Sequence, residues 1–130
     1  MKVLVLEDDW ERIKQFTDWR MQGHEVTITK TVGEVISELE QNEFDLLCLD
    51  HDLGEHVYVE SIGAEETGYL VALWLSQNPE RSPDTIVLHS LNRPGRDNMK
   101  SALPRAQTFP FVWMHTLEEL FNLEKFRGKE

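Results

Sequence analysis

Three apolar runs in this chain end abruptly in titratable side chains. Lys2 to Leu6 runs into Glu7-Asp8-Asp9, Phe44 to Leu49 into Asp50-His51-Asp52, and Thr85 to Leu88 into His89-Ser90. If the runs are neighbouring strands, Asp8, Asp9, Asp50 and Asp52 converge, together with Glu7. Carboxylates crowded in this way repel unless a proton or a cation relieves them. Hard oxygen donors suit Mg²⁺, Mn²⁺ or Ca²⁺, and His51 or His89 nearby widens the choice toward Zn²⁺ or Fe²⁺. The expected cofactor is a divalent metal, Mg²⁺ or Mn²⁺ ahead of Zn²⁺ or Fe²⁺, held by Asp8, Asp9, Asp50 and Asp52. A His beside a carboxylate can carry a proton near neutral pH, which makes His89, and after it His51, candidates for proton transfer. Simpler roles stay open for each. Asp8 or Asp9 could cap a helix, since Asp8 stands three residues before Glu11. Asp52 could be a turn residue before Leu53-Gly54, and either His could merely bond a backbone group at a strand end.

The stretch HSLNRPGRDNM, from His89 to Met99, carries a different chemistry. In a chain of net charge −11, Arg93 and Arg96 form one of the few local positive patches. Arg suits bidentate recognition of phosphate. Ser90, Asn92 and Asn98 add neutral donors, and Gly95 would let backbone approach a ligand. The stretch therefore reads as an anion clamp beside the cation site. The plainer alternative is a polar turn bent at Pro94-Gly95, with Asp97 or Asn98 capping the next helix. Residues 55–66 form a long connection carrying His56 and Tyr58, read as a lid in which either contacts a base or sugar. Trp10, Trp19, Trp74 and Trp113 read as core or core-edge packing.

These groups need elements to position them. Lys2–Leu6 has the apolar, β-branched character of a strand, and Trp10, Ile13 and Phe16 or Thr17 recur at helical spacing. Glu25–Thr29 alternates like a half-buried strand. Thr31 with Glu34 forms a capping box for a helix whose inner face is Val32, Val35, Ile36 and Leu39. Phe44–Leu49 is nearly unbroken apolar sequence, as in a strand covered on both faces. Thr67-Gly68 opens an apolar helix that ends before Asn78-Pro79, and Thr85–Leu88 is another buried strand. Met99, Ala102, Leu103 and Ala106 suggest a short helix that Pro104 bends or ends. Phe109–Met114 reads as a fifth strand, and Thr116 with Glu119 caps a last helix faced by Leu117, Leu120 and Phe121. The alternation predicts an α/β fold over residues 1–130 as a single domain. It is a five-stranded parallel sheet in order 2-1-3-4-5 with helices on both faces. Ligands of such sheets bind outside the carboxyl ends of the strands, where the three titratable clusters fall.

Composition narrows the partners. A net charge of −11 argues against duplex DNA and against an anionic membrane. No apolar run reaches membrane-spanning length, and the start of the chain reads as a strand rather than a signal peptide. The single cysteine, Cys48, offers no disulfide framework and fits a reducing compartment, so a cytoplasmic location is expected.

Over nearly its whole length the chain resembles a response-regulator receiver domain, a flavodoxin-like fold. Glu7-Asp8-Asp9 looks like that family's metal-binding acidic pair, Asp50 like its phosphoacceptor, and His89-Ser90 covers the place of its switch Ser or Thr. Two departures stand out. The Lys expected at the end of the fifth strand is missing, with Trp113, Met114 and His115 in that region, and the segment DLGEHVYVESIGAEETG is longer than the receiver pattern. LDHDLG, TGYLVALWL and HSLNRPGRDNM together resemble more closely the receiver-like family named for cyclic-phosphate processing. That resemblance implies processing or binding of nucleotides or RNA ends that carry a cyclic phosphate. With the carboxylate and histidine clusters added, the leading reading is a metal-dependent phosphoesterase acting on a cyclic phosphodiester, in a small cyclic nucleotide or at an RNA end. In that picture His89 or His51 moves the proton while Ser90, Asn92, Arg93, Arg96 and Asn98 hold phosphate. Three alternatives remain: a nucleotide-binding module without turnover, a signalling receiver phosphorylated on Asp50, or an adaptor whose carboxylates are caps. Oligomeric state is left open.

Overall fold

The computed structural model describes residues 1–52, 58–59, 64–65, 67–90 and 92–109. Its strands are β1 (Lys2–Leu6), β2 (Glu25–Thr29), β3 (Leu46–Leu49), β4 (Tyr58–Val59), β5 (Ala64–Glu65), β6 (Thr85–Leu88) and β7 (Gln107–Thr108). Its helices are α1 (Trp10–Met21), α2 (Val32–Gln41), α3 (Gly68–Gln77) and α4 (Arg93–Ala102). Five strands pair in parallel in the order β2-β1-β3-β6-β7, the 2-1-3-4-5 order predicted when only this sheet's strands are counted.

Alternation along each strand divides the core between the two faces of the sheet. Leu4, Leu6, Leu47, Leu49 and Leu88 pack against Val35 and Leu39 of α2, Val71 and Leu75 of α3, and Met99 of α4. Val3, Val5, Leu46, Cys48 and Val87 point the other way and meet Phe16 and Trp19 of α1. The rings of Phe16 and Trp19 contact edge to face at 5.1 Å. Both faces of β3 are thus dry, which explains its unbroken apolar sequence.

The helix starts follow from side-chain chemistry. Thr31 caps α2 by accepting from the Glu34 amide at 3.2 Å, and the Glu34 carboxylate accepts from the Lys30 amide at 3.2 Å. Asp9, not Asp8, caps α1, accepting from the Glu11 amide at 3.0 Å. At α4 the structure corrects the expected boundary. The helix begins at Arg93, with Asn92 as its cap, so Asp97 and Asn98 lie inside it. Pro94 sits in the first turn, where a missing N–H forfeits no helical bond. The helix ends at Ala102, before Pro104, leaving Leu103 and Ala106 beyond it.

Two further expectations change. The fifth strand of the sheet begins at Gln107, earlier than Phe109, while residues 110–114 and the last predicted helix lie outside the described residues. The long connection after β3 contains a two-stranded antiparallel ribbon, Tyr58–Val59 against Ala64–Glu65. Among the described residues no helix is long and apolar enough to cross a membrane.

Candidate functional site

Register brings the site together. Leu6, Leu49 and Leu88 stand side by side across β1, β3 and β6, so the next residues, Glu7, Asp50 and His89, form a row at the carboxyl edge. The backbone ladder carries on one step past the strands: the Asp50 amide donates to Leu6 at 3.2 Å and the His89 amide to Leu49 at 3.1 Å. Glu7, Asp50 and His89 are all buried, and one ligand atom from each lies within 4.8 Å of the others. Glu7 is in phase with Val3 and Val5, which turns its side chain to the α1 face of the sheet.

The row is held by hydrogen bonds and one guanidinium. Glu7 Oε2 accepts from the Asp8 and Asp9 amides, each at 3.1 Å. Its Oε1 pairs with His89 Nε2 at 2.9 Å. Arg12, from the first turns of α1, reaches Glu7 at 3.5 Å, Asp50 at 3.7 Å and Asp9 at 3.4 Å. The His89 ring also lies 5.1 Å from that of Phe16.

Burial and these partners set the charges. Burial, then the charge of Glu7 beside it, push Asp50 up to about 8, against the pull of Arg12. Burial would raise Glu7 too, but the hydrogen bond with His89, the Asp9 amide and Arg12 together bring it below the ordinary carboxylate range. Burial pushes His89 down more strongly than Glu7 pulls it up. Near neutral pH the row therefore holds a Glu7 carboxylate, a mostly protonated Asp50 and a neutral His89 that donates Nε2–H to Glu7. Arg12 balances the one full negative charge.

Two carboxyl groups and an imidazole at this spacing match the donor set of a divalent cation, and the nitrogen donor suits Mn²⁺, Fe²⁺ or Zn²⁺ better than Mg²⁺. A cation among them would take the proton's place on Asp50 and displace the Arg12 guanidinium. Asp8 is half-buried next to this set. Asp9 is engaged as the α1 cap and in its ion pair with Arg12.

A second group lies on the neighbouring rim. His51 Nδ1 meets Asp52 Oδ1 at 2.9 Å, and the same oxygen accepts from Asn92 Nδ2 at 2.9 Å. Asn92 also takes the Gly95 amide on its Oδ1 at 3.0 Å, and its own amide donates to Ser90 Oγ at 3.1 Å. In the tautomer that donates Nδ1–H to this carboxylate, the neutral ring has its Nε2 lone pair for another partner. Two glycines make this packing feasible. A Cβ on Gly68 would lie 1.9 Å from the Asp50 carbonyl oxygen, and one on Gly95 would lie 2.4 Å from the His51 ring. Gly95 thus makes room for His51 rather than for a ligand.

The remaining predicted residues are spread more widely. Arg96 donates to the Ser90 carbonyl at 3.3 Å. Arg93 and Asn98 are exposed on α4. Tyr58 lies in β4, while His56, Trp113, Met114 and His115 fall outside the described residues. Of the tryptophans, Trp19 is fully buried and Trp74 packs at the core edge, but Trp10 is 69% exposed, which overturns its reading as core. Sequence reasoning overlooked Arg12, although its position three residues after Asp9, on the same face of a helix start, was the available signal. It also ranked Asp8 above Glu7, although the alternation of β1 points Glu7 inward.

Known proteins offer two likenesses. Residues 3–105 match the model of a family described as the cyclic-phosphate processing receiver domain. Among solved structures, the chemotaxis response regulator CheY4 of Vibrio cholerae superposes with a TM-score of 0.65 at 14% identity, over 96% of this chain and 97% of that one. The CheY-like receiver domain protein of Methanospirillum hungatei JF-1 gives 0.62 at 18%, over 98% and 91%. Response regulator TrrA of Thermotoga maritima, solved in complex with Mg²⁺ and BeF, gives 0.63 at 17%, over 98% and 96%. These likenesses establish a shared receiver fold. No curated protein matches the sequence.

Proposed function

The chain belongs to the cyclic-phosphate processing receiver domain family, and from that membership we propose that it is a metal-dependent phosphoesterase opening a cyclic phosphodiester, in a small cyclic nucleotide or at an RNA end. The observation that carries the reading is the row Glu7, Asp50 and His89, a cation donor set beside an imidazole oriented by its own carboxylate. The residues 1–130 act in this reading as one unit, in the cytoplasm, with no membrane or duplex DNA as partner.

In this reading Glu7, Asp50 and His89 hold the cation, with Asp8 beside them. When bound, it would polarise a phosphoryl oxygen and favour ionisation of water. His89 is too deeply buried to reach a substrate, so proton transfer passes to His51. Its Nε2 takes a proton from the attacking water as the new O–P bond forms. It returns that proton to the ester oxygen that leaves, and the product is an open monoester. Asp52, fixed by Asn92, keeps the imidazole in the needed tautomer, as the carboxylate of a His–Asp pair does. Arg93 and Asn92 would face the approaching phosphate, with Arg96 beside them, while Ser90, as buried as His89, would act only by holding the Asn92 amide. Asn98 lies further along α4, and Tyr58 and His56 belong to the connection after β3. A phosphoacceptor role for Asp50 fits less well, because Trp113, Met114 and His115 stand where a receiver carries the Lys that neutralises the phosphoryl group.

Metal-stripped protein is titrated with Mn²⁺, Mg²⁺ and Zn²⁺, alone and with a panel of cyclic nucleotides, while melting temperature and product are followed. A ligand of the native state raises the melting temperature by mass action. A metal-dependent rise abolished by Asp50→Asn, with monoester formed, is the expected result. A nucleotide-dependent rise with intact ligand and no metal requirement would replace the enzyme with a binding module.

A further inference from the structure

The three large apolar side chains most exposed among the described residues are Met1, Trp10 and Met21. Met1 and Met21 lie at the amino edge of the sheet, where β1 begins and α1 ends. Trp10 lies at the opposite edge. It follows Asp9, the cap of α1, whose carboxylate is tied through Arg12 to Glu7 and Asp50. An indole has 150–250 Å² of surface to bury, so leaving it in water forgoes a large apolar contribution.

A cation accompanies it. Lys30 follows Thr29, which stands level with Leu6 at the same edge of the sheet. Its Nζ lies 5.9 Å from the centre of the Trp10 ring. In a chain of net charge −11, the indole thus offers exposed aromatic surface beside one positive charge, although Asp9 and Glu11 flank it in sequence. It sits on the α1–β2 side of the carboxylate row, across from the Asn92–Arg93 rim on the β6–α4 side.

We propose that Trp10, assisted by Lys30, is the platform on which the base of the nucleotide stacks while its cyclic phosphate lies toward Asp50. The inference rests on the phosphoesterase reading and adds to it a direction for the ligand. Stacking accepts any base, because every base has a π-face, and favours purines through their larger area. Of two probes, a purine 2′,3′-cyclic monophosphate should bind tightly and ribose 2′,3′-cyclic phosphate, which lacks the base, much more weakly.

Both probes are titrated calorimetrically into Mn²⁺-loaded wild type, Trp10→Ala, Trp10→Phe and Lys30→Gln, each in a His51→Gln background that blocks turnover. The purine nucleotide should bind Trp10→Ala about 5- to 150-fold more weakly, the range of a lost base–aromatic stack. Trp10→Phe should retain most of the affinity, and Lys30→Gln should lose a smaller part. The base-free probe should bind wild type and Trp10→Ala equally. Since Trp10 is exposed, the melting temperature of Trp10→Ala should stay at the wild-type value. Nucleotide binding within twofold of wild type in Trp10→Ala would overturn the proposal, as would an equal loss for both probes, which marks a structural role. If wild type binds neither probe, the phosphoesterase reading falls and this platform with it.

Discussion

Asp50→Asn removes a titrating group at the centre of the site while keeping the side chain's size and shape. Burial and the Glu7 charge raise the Asp50 pKa from the ordinary 3.8 to about 8. Between those values the folded protein holds a proton that the unfolded chain has released. Stability must then fall as pH rises through that window, and flatten above about pH 8 where both states have lost the proton. The full window corresponds to about 6 kcal/mol, at about 1.4 kcal/mol per pH unit. Asn does not titrate, and its amide can donate to Glu7 as the protonated acid does. Urea unfolding of metal-free wild type and variant at about pH 5 and about pH 8.5 reads the effect, together with the response of Glu7 and His89 to the loss of the Asp50 charge. The stability of the variant relative to wild type should rise by about 4 kcal/mol between those pH values. A rise of less than about 1 kcal/mol would mean that Asp50 is ionised throughout, and would refute the charge assignment of the row. Mn²⁺ should restore the wild type at high pH and leave the variant unchanged.

Other perturbations probe the surroundings of the row. Arg12→Gln removes the positive charge that shares Glu7 and Asp50 with any bound metal. It should tighten Mn²⁺ binding by at least about tenfold in calorimetry while lowering metal-free stability by about 2 kcal/mol, discounted for the partial exposure of Arg12. Gly68→Ala places a Cβ 1.9 Å from the Asp50 carbonyl oxygen, a backbone atom that cannot swing away. It should cost about 3 kcal/mol or more in urea unfolding. Gly33→Ala in α2 meets nothing within 4 Å and should instead stabilise by about 0.5 kcal/mol. Asn92→Ala removes both the α4 cap and the bond to Asp52, and should lower stability by about 1–2 kcal/mol.

How much was legible depended on whether a signal was carried by burial or by local contact. The sheet order and its carboxyl edge could be read, because β1, β3 and β6 are buried on both faces and therefore keep unbroken apolar sequence. The α2 start could be read, because the Thr31–Glu34 exchange is local. Pro94 misled, since a proline in the first turn of a helix and a proline in a loop look alike without the preceding cap. The β4–β5 ribbon has two residues per strand, too few for alternation to register. At the site, the edge and its residues were legible but not their division of labour. That His89 faces inward and His51 outward is decided by burial and by the Asp52–Asn92 contact across 40 residues of chain. Trp10 was misjudged because an exposed indole and a buried one share the same helical spacing.

The placement of Cys48 gives the molecule a built-in clock. It is the chain's sole thiol, it lies in β3 between β1 and β6, and burial pushes its pKa far above the usual range. Alkylating reagents attack the thiolate, which this fold denies them. Labelling must therefore wait until the middle of the sheet parts, an event that loosening at the rim does not bring about. With a reagent fast enough to outpace reclosing, the labelling rate becomes the rate at which the sheet opens. The same single atom, followed with and without metal, would report whether filling the edge locks the centre.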